Sequence, residues 1–360
     1  MRSSISIILL VGAAIVASTA GCLQADTESG DDVIYANHDG PPTHLDAGDL
    51  DAGPEEPDAL TEPEDWEAPE PSDAGSDGDS NDDDNGAPPD FDDGETIGPD
   101  DRPATVLLPD DYDPTSTYPV VFLFHSYTMT ASIQDSYFGL SDRRHDRQFI
   151  TVLPEGRTDV TGQQFWNATD YCCDFYGSDP DDVAYFGELL DDLFDHVSAD
   201  PQRVHLVGHS NGAFMNYRLA CEYGSDIASI VGLAGSGHAA PSTCDEPDGT
   251  VSVLHIHGSH DAVIYYNGVI GAYPGARTMT RRWSERNDCS TSSSIDDYIS
   301  LDGLIMGTET SRRRYEDCPR GVDVEFWTIL MGAHVPNLTS SFADRVLDFS
   351  LPKTNFDGAP

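Results

Sequence analysis

The sequence predicts an α/β protein built on an open, mostly parallel sheet with helices on both faces. Three observations carry the prediction: short continuous apolar runs of strand length, amphipathic stretches of helical period between them, and chemically versatile polar residues directly after several runs. Val120–Phe124 and Phe149–Leu153 are such runs, as expected of strands buried on both faces. Asp181–Val197 places Val183, Phe186, Leu189, Leu190, Leu193, Phe194 and Val197 at helical spacing. The Asp-Pro-Asp-Asp at its start supplies a cap and negative charge at the helix N-terminus. Val204–Val207 is the next strand, and Ile227–Leu233, Val251–Ile256 and Val324–Leu330 continue the alternation before a last helix near Ser340–Phe349.

Ahead of this pattern lie two segments of different character. Residues 1–22 combine Arg2, an uncharged apolar run from Ile5 to Val16 and the small residues Ser18-Thr19-Ala20-Gly21 before Cys22. That is the form of a secretion signal, too short to span a bilayer as a mature helix. Its end resembles a bacterial lipoprotein cleavage box, which makes Cys22 the candidate lipidation site and leaves a lipid anchor as the expected membrane contact. Residues 23–101 are rich in Asp, Glu, Pro and Gly, with no Lys or Arg between Arg2 and Arg102. Such a segment buries too little apolar surface to offset its ordering entropy, and is expected to be a disordered acidic linker. Asn81–Gly86 imitates a calcium loop, but it begins on Asn and is followed by Pro88 and Pro89. Residues 102–360 are then one catalytic domain.

Charge and cysteine content restrict the partners. With 65 acidic against 18 basic residues, the formal net charge is −47, which argues against nucleic acid. Past Cys22 the cysteines are Cys172, Cys173, Cys221, Cys244, Cys289 and Cys318. An even number in an exported domain points to disulfides rather than to a thiol or metal site; Cys289 with Cys318 and Cys221 with Cys244 are the favoured pairs, and Cys172 with Cys173 stays open. No cofactor and no metal are expected, and the domain is expected to be a monomer.

Chemistry concentrates at the ends of the apolar runs, where open α/β sheets build their sites. The strand at Val204–Val207 runs into Gly208-His209-Ser210-Asn211-Gly212, the G-x-S-x-G spacing of a nucleophile elbow. Beyond Val251–His257 comes Gly258-Ser259-His260-Asp261, and beyond Val324–Leu330 comes Met331-Gly332-Ala333-His334. A serine hydroxyl needs a base, and the base needs a carboxylate to fix its tautomer. Ser210, Asp261 and His334 supply the three in that chain order. Asp226, Asp288 and Asp302 are weaker candidates, since only Asp261 follows a buried strand through a Gly-Ser turn. His255, His257, His260 and His238 compete with His334; His255 and His257 read as packing or supporting residues, while His334 lies on a Gly-flanked loop before the last helix. The backbone N–H groups of Asn211 and Tyr127 are the expected oxyanion donors.

The chain resembles a secreted α/β-hydrolase family that groups polyhydroxybutyrate depolymerases with feruloyl and acetyl-xylan esterases. The likeness rests on Phe124–Tyr127, Phe165–Asp174, Asp181–Phe186, Gly208–Met215, His257–Asp261 and Gly332–His334. It implies an α/β-hydrolase fold and hydrolysis of carboxylic esters, of a plant polysaccharide or a polyester, through an acyl-serine. Trp166 and Tyr171 are candidates for an aromatic substrate wall, with a core tryptophan packed beside the cysteine pair as the equal alternative for Trp166. One departure is Ser126, where the family has Gly; a positive φ there would cost about 1 kcal/mol and move the second oxyanion donor. Two alternatives stand beside this reading: a serine peptidase of the prolyl-oligopeptidase type, and a catalytically inactive hydrolase domain acting as a surface binding module.

Overall fold

The computed structural model describes residues 91–244, 249–319 and 321–355. The expected signal, Cys22 and nearly all of the acidic linker lie outside the described residues. Ten strands form one sheet: β1 (Thr96–Ile97), β2 (Ala104–Leu107), β3 (Tyr118–Phe124), β4 (Ile150–Leu153), β5 (Ala199–His209), β6 (Ser229–Leu233), β7 (Ser252–Gly258), β8 (Ser293–Ile299), β9 (Thr310–Tyr315) and β10 (Val324–Ile329). Their spatial order is β1-β2-β4-β3-β5-β6-β7-β10-β9-β8. The central strands β4, β3, β5, β6, β7 and β10 run parallel, and the pairs at either edge are antiparallel.

Every residue of β3, β6, β7 and β10 is buried, which is why these strands read as continuous apolar runs. Helices cover both faces. On one side lie α2 (Asp182–His196), α3 (Asn211–Glu222) and α4 (Ala276–Arg286), whose Phe186, Leu189, Phe214, Met215 and Trp283 enter one apolar core. On the other, α1 (Ala131–Phe138) and α5 (Phe342–Ser350) contribute Phe138, Phe342, Val346 and Leu347 to a second. The cap expected for α2 is present, with the Asp181 carboxylate accepting from the N–H of Ala184 at 2.9 Å. The architecture is an α/β-hydrolase fold.

Two differences from the sequence reading concern the edges. The folded region begins before Arg102: Thr96 and Ile97 pair with Thr105 and Ala104, so the last residues assigned to the linker belong to the sheet. At the other edge, β8 and β9 were not anticipated. Ser293–Ile299 is exposed over most of its length and carries Asp296 and Asp297 opposite Arg312–Arg314, so no apolar run marks it.

Candidate active site

Strand β5 turns into α3 through Ser210, whose φ of 54° and ψ of −116° place a non-glycine residue in a sparsely populated region. The turn is held by its amide, which donates to Leu233 O at 2.8 Å, and by its carbonyl, which accepts from Phe214 N at 3.0 Å. Both flanking glycines are required by close approach: a Cβ on Gly208 would lie 2.6 Å from the Gly212 carbonyl carbon, and one on Gly212 would collide with the Phe124 carbonyl at the end of β3.

The three candidate residues, from the ends of β5, β7 and β10, meet in one row. His334 Nε2 lies 2.9 Å from Ser210 Oγ, and His334 Nδ1 lies 2.8 Å from Asp261 Oδ2. Asp261 Oδ1 accepts from the amides of Val263 at 2.8 Å and Ile264 at 2.9 Å. All three side chains are buried. Burial alone would raise the Asp261 carboxyl, but hydrogen bonds from His257 and His334 more than reverse this and hold it well below the ordinary carboxylate range. The two loops are stapled to each other, with Met331 N donating to Ser259 Oγ at 2.8 Å and His260 N to Gly332 O at 2.9 Å. His209, within the elbow, was not singled out from sequence. Its Nε2 is 3.0 Å from the carbonyl oxygen of His334, to which it donates, so it fixes the backbone of that loop.

Tyr127 lies in the loop that follows β3, and Asn211 is the first residue of α3, directly after Ser210. The positive φ in the Tyr127 loop falls on Thr128, at 71°, and not on Ser126, so the serine does not carry the strain anticipated for it. The Ser126 amide instead donates to Gln134 Oε1 at 3.2 Å.

The two aromatic candidates separate. Trp166 is fully buried, packed on Phe124 and His125, with its indole N–H donating to His125 O at 3.0 Å. It is a core residue and forms no substrate wall. A tryptophan with a buried carbonyl in reach satisfies its one donor inside, which removes the reason to stay at the surface. Tyr171 is 45% exposed, with its ring 5.0 Å from that of Tyr273. Phe175, exposed on the same loop, meets Tyr127 edge-on at 5.3 Å. Between these two rings, Cys172 and Cys173 are bonded to each other, which resolves the open pairing; Cys221–Cys244 and Cys289–Cys318 pair as favoured. Among the described residues no group of three or more His, Cys, Asp or Glu is placed to hold a metal ion.

Comparison with known proteins gives the family. The family described as "Putative esterase" matches residues 96–309, beginning at β1. The chain belongs to the esterase family. The esterase is 25% identical over 250 residues to feruloyl esterase D of Neurospora crassa, covering 66% of this chain and 74% of that one. It is 24% identical over 270 residues to feruloyl esterase B of Piromyces equi, covering 70% of this chain but only 46% of that longer protein. Its fold is similar to that of the acetyl xylan esterase from Aspergillus awamori, with a TM-score of 0.52 at 13% identity over 71% of this chain and 97% of the other. The esterase is a carboxylic-ester hydrolase.

Proposed function

We propose that the protein is a secreted or lipid-anchored serine esterase in which Ser210 is the nucleophile, His334 the general base and Asp261 its orienting carboxylate. The observation that carries this reading is the unbroken row from Ser210 Oγ through His334 to Asp261, at 2.9 and 2.8 Å. As Ser210 Oγ attacks the ester carbonyl, His334 Nε2 takes its proton, and Asp261 stabilises the imidazolium that forms. The amides of Tyr127 and Asn211 donate to the developing oxyanion, each worth roughly 3 to 4 kcal/mol of barrier. His334 then protonates the departing alkoxide, and water, deprotonated by the same imidazole, releases the acid and restores Ser210.

For the substrate, the reading is an ester of a hydroxycinnamic acid or of an acetylated polysaccharide, with Tyr171 and Phe175 offering exposed rings beside the site. The names of the relatives support the same class. Three disulfides support an oxidising compartment, while the signal and the Cys22 anchor stand on sequence alone.

Ser210→Ala tests the assignment. Hydrolysis and labelling by a fluorophosphonate probe are both expected to vanish while the circular dichroism and melting curve stay those of the parent. Turnover by the purified mutant would refute Ser210 as nucleophile. A panel of feruloyl, acetyl-xylan, hydroxybutyrate and p-nitrophenyl esters ranks the substrate classes by kcat/KM.

A further inference from the structure

His255 and His257 are separated by one residue on β7, so both rings leave the same face of the strand, 5.3 Å apart and nearly parallel. His257 Nε2 is 2.8 Å from the carbonyl oxygen of Ile264 and makes a longer contact, 3.2 Å, with Asp261 Oδ2. Both oxygens accept only, so this nitrogen carries a hydrogen. In the neutral ring Nδ1 is then the acceptor, and it faces His255 Nε2 at 3.1 Å. His255 therefore donates from Nε2 and accepts at Nδ1, where Tyr217 Oη stands at 2.6 Å.

The far end of the row fixes the same direction independently. Tyr217 is buried, burial raises its hydroxyl far above the ordinary value, and among the described residues its hydroxyl bonds to His255. Its proton points there. The reverse polarity would leave that proton without an acceptor and set a bare nitrogen of His257 against two oxygens, a double penalty in a dry interior. Burial first, and then the neighbouring His257, keep the His255 ring well below the ordinary histidine value and hence neutral. Tyr217 also lies on α3, two turns past Ser210, so the row that starts at the nucleophile and passes through His334 and Asp261 returns to the nucleophile's own helix.

We propose that Tyr217, His255 and His257 form a one-way hydrogen-bond chain whose last N–H is shared between the Ile264 carbonyl and Asp261, and that His257 is a positioning residue for ester hydrolysis. The proposal rests on the reading of Asp261 and His334 as part of the catalytic row. The groups facing this part of the row are His257, His255 and Asp261 from β7 and its loop, Tyr217 from α3, Tyr266 against the His257 ring, Phe326 against the His255 ring, Tyr273 near Asp261, and His209 beside His334. The donors aimed at Asp261 divide its charge between His257 and His334. With His257 gone, more of that charge bears on the His334 ring.

The test compares three single variants of the whole protein on a p-nitrophenyl ester across pH, with melting curves. His257→Leu is expected to lower kcat on the order of tenfold, the worth of one hydrogen bond to a charged group, with KM little changed. Its acid limb of kcat/KM is expected to move to higher pH. His257→Gln keeps a donor at the reach of Nε2 and is expected to return kcat to within about threefold and the limb to its wild-type position. Tyr217→Phe removes the first donor and is expected to shift kcat and limb the same way by less. Leu and Gln variants equally impaired, or a Tyr217→Phe profile that superimposes on wild type, would overturn the chain even if His257→Leu fails to fold. Failure of the underlying assignment is visible separately, as fluorophosphonate labelling that survives Ser210→Ala.

Discussion

Asp261 and Asp182 are both buried carboxylates, and their surroundings move them in opposite directions. Asp182, at the start of α2, faces the buried guanidinium of Arg102 at 2.6 Å and accepts from Asn167 N at 2.6 Å. Burial nevertheless leaves its carboxyl above the ordinary range, with Arg102 reversing only part of the rise. Among the described residues, Asp261 has the imidazoles of His257 and His334 as its ion-pair partners, with no arginine or lysine. It is held down by imidazole and amide donors with fixed directions. A full counter-charge ties two elements together, here the segment after β1 to α2, whereas oriented imidazole and amide donors keep the Asp261 carboxylate ionised, as its proposed part in stabilising an imidazolium requires.

Acid should break the imidazole side of this comparison first and produce the largest effect. Burial foremost holds His125 down to about 4 and His205 and His209 to about 3, and His255 lies well below its ordinary value. Each folded-state value lies under the 6.5 of an unfolded histidine, so between these limits the unfolded chain binds more protons. The stability these residues contribute is full above about pH 6.5 and is lost as pH falls toward 4 and then 3. Asp182 and Glu155, whose carboxyls are raised, work in the opposite sense, but they are two groups against four. Melting temperature measured by calorimetry is expected to be flat near neutrality and to fall steeply below about pH 6. A melting temperature unchanged down to pH 4 would show that the histidines are not buried neutral.

The ion pair should respond asymmetrically to its two deletions. Asp182→Leu leaves Arg102 buried, always charged, with the Glu155 carbonyl at 2.6 Å and the rings of Tyr185 and Trp166 as its neighbours. The expected loss is about 3 to 5 kcal/mol in urea unfolding. Arg102→Met leaves a carboxyl that can take up a proton, and the loss should be clearly smaller and should shrink further in mild acid. Equal losses would mean that the pair is held by packing rather than by charge.

Much of the catalytic side of this comparison was legible in the sequence, and the anchoring side was not. Ser210, Asp261 and His334 each follow a strand buried on both faces, so an uninterrupted apolar run points to them. Nothing in one dimension links Arg102 to Asp182, eighty residues on. The alternation of His255 and His257 was visible, yet their partners depend on which face of β7 meets α3 and on tautomers that only packing decides. Trp166 stayed open because an aromatic residue among polar ones reads equally as a rim or as a core residue until its N–H finds a partner. Strands β8 and β9 escaped because an exposed antiparallel edge, with Arg312 near Asp297 at 3.4 Å, has no apolar run to announce it.

The two assemblies meet at Asn211. Its side-chain amide accepts from Trp166 N at 2.8 Å and donates to Trp166 O at 2.9 Å, pairing with the backbone of the residue on which Arg102 rests, while Asn211 itself directly follows Ser210 at the start of α3. Its Nδ2 also lies 3.5 Å from Cys172 Sγ, at the root of the loop that carries Tyr171 and Phe175. Asn211→Ala keeps the backbone donor and strips the clasp, leaving the buried Trp166 N–H unpaired while the Trp166 carbonyl keeps the Cys173 N–H at 3.2 Å. The expected cost is about 1 to 3 kcal/mol, the smallest of the three effects, read as a lowered urea midpoint. Because the loop's aromatic rings are released while the N–H stays, KM for aryl esters should rise more than kcat falls, and fluorophosphonate labelling of Ser210 should persist. Loss of labelling in a folded Asn211→Ala protein would mean that the side chain holds the nucleophile itself, and that the anchor and the catalytic row are a single unit.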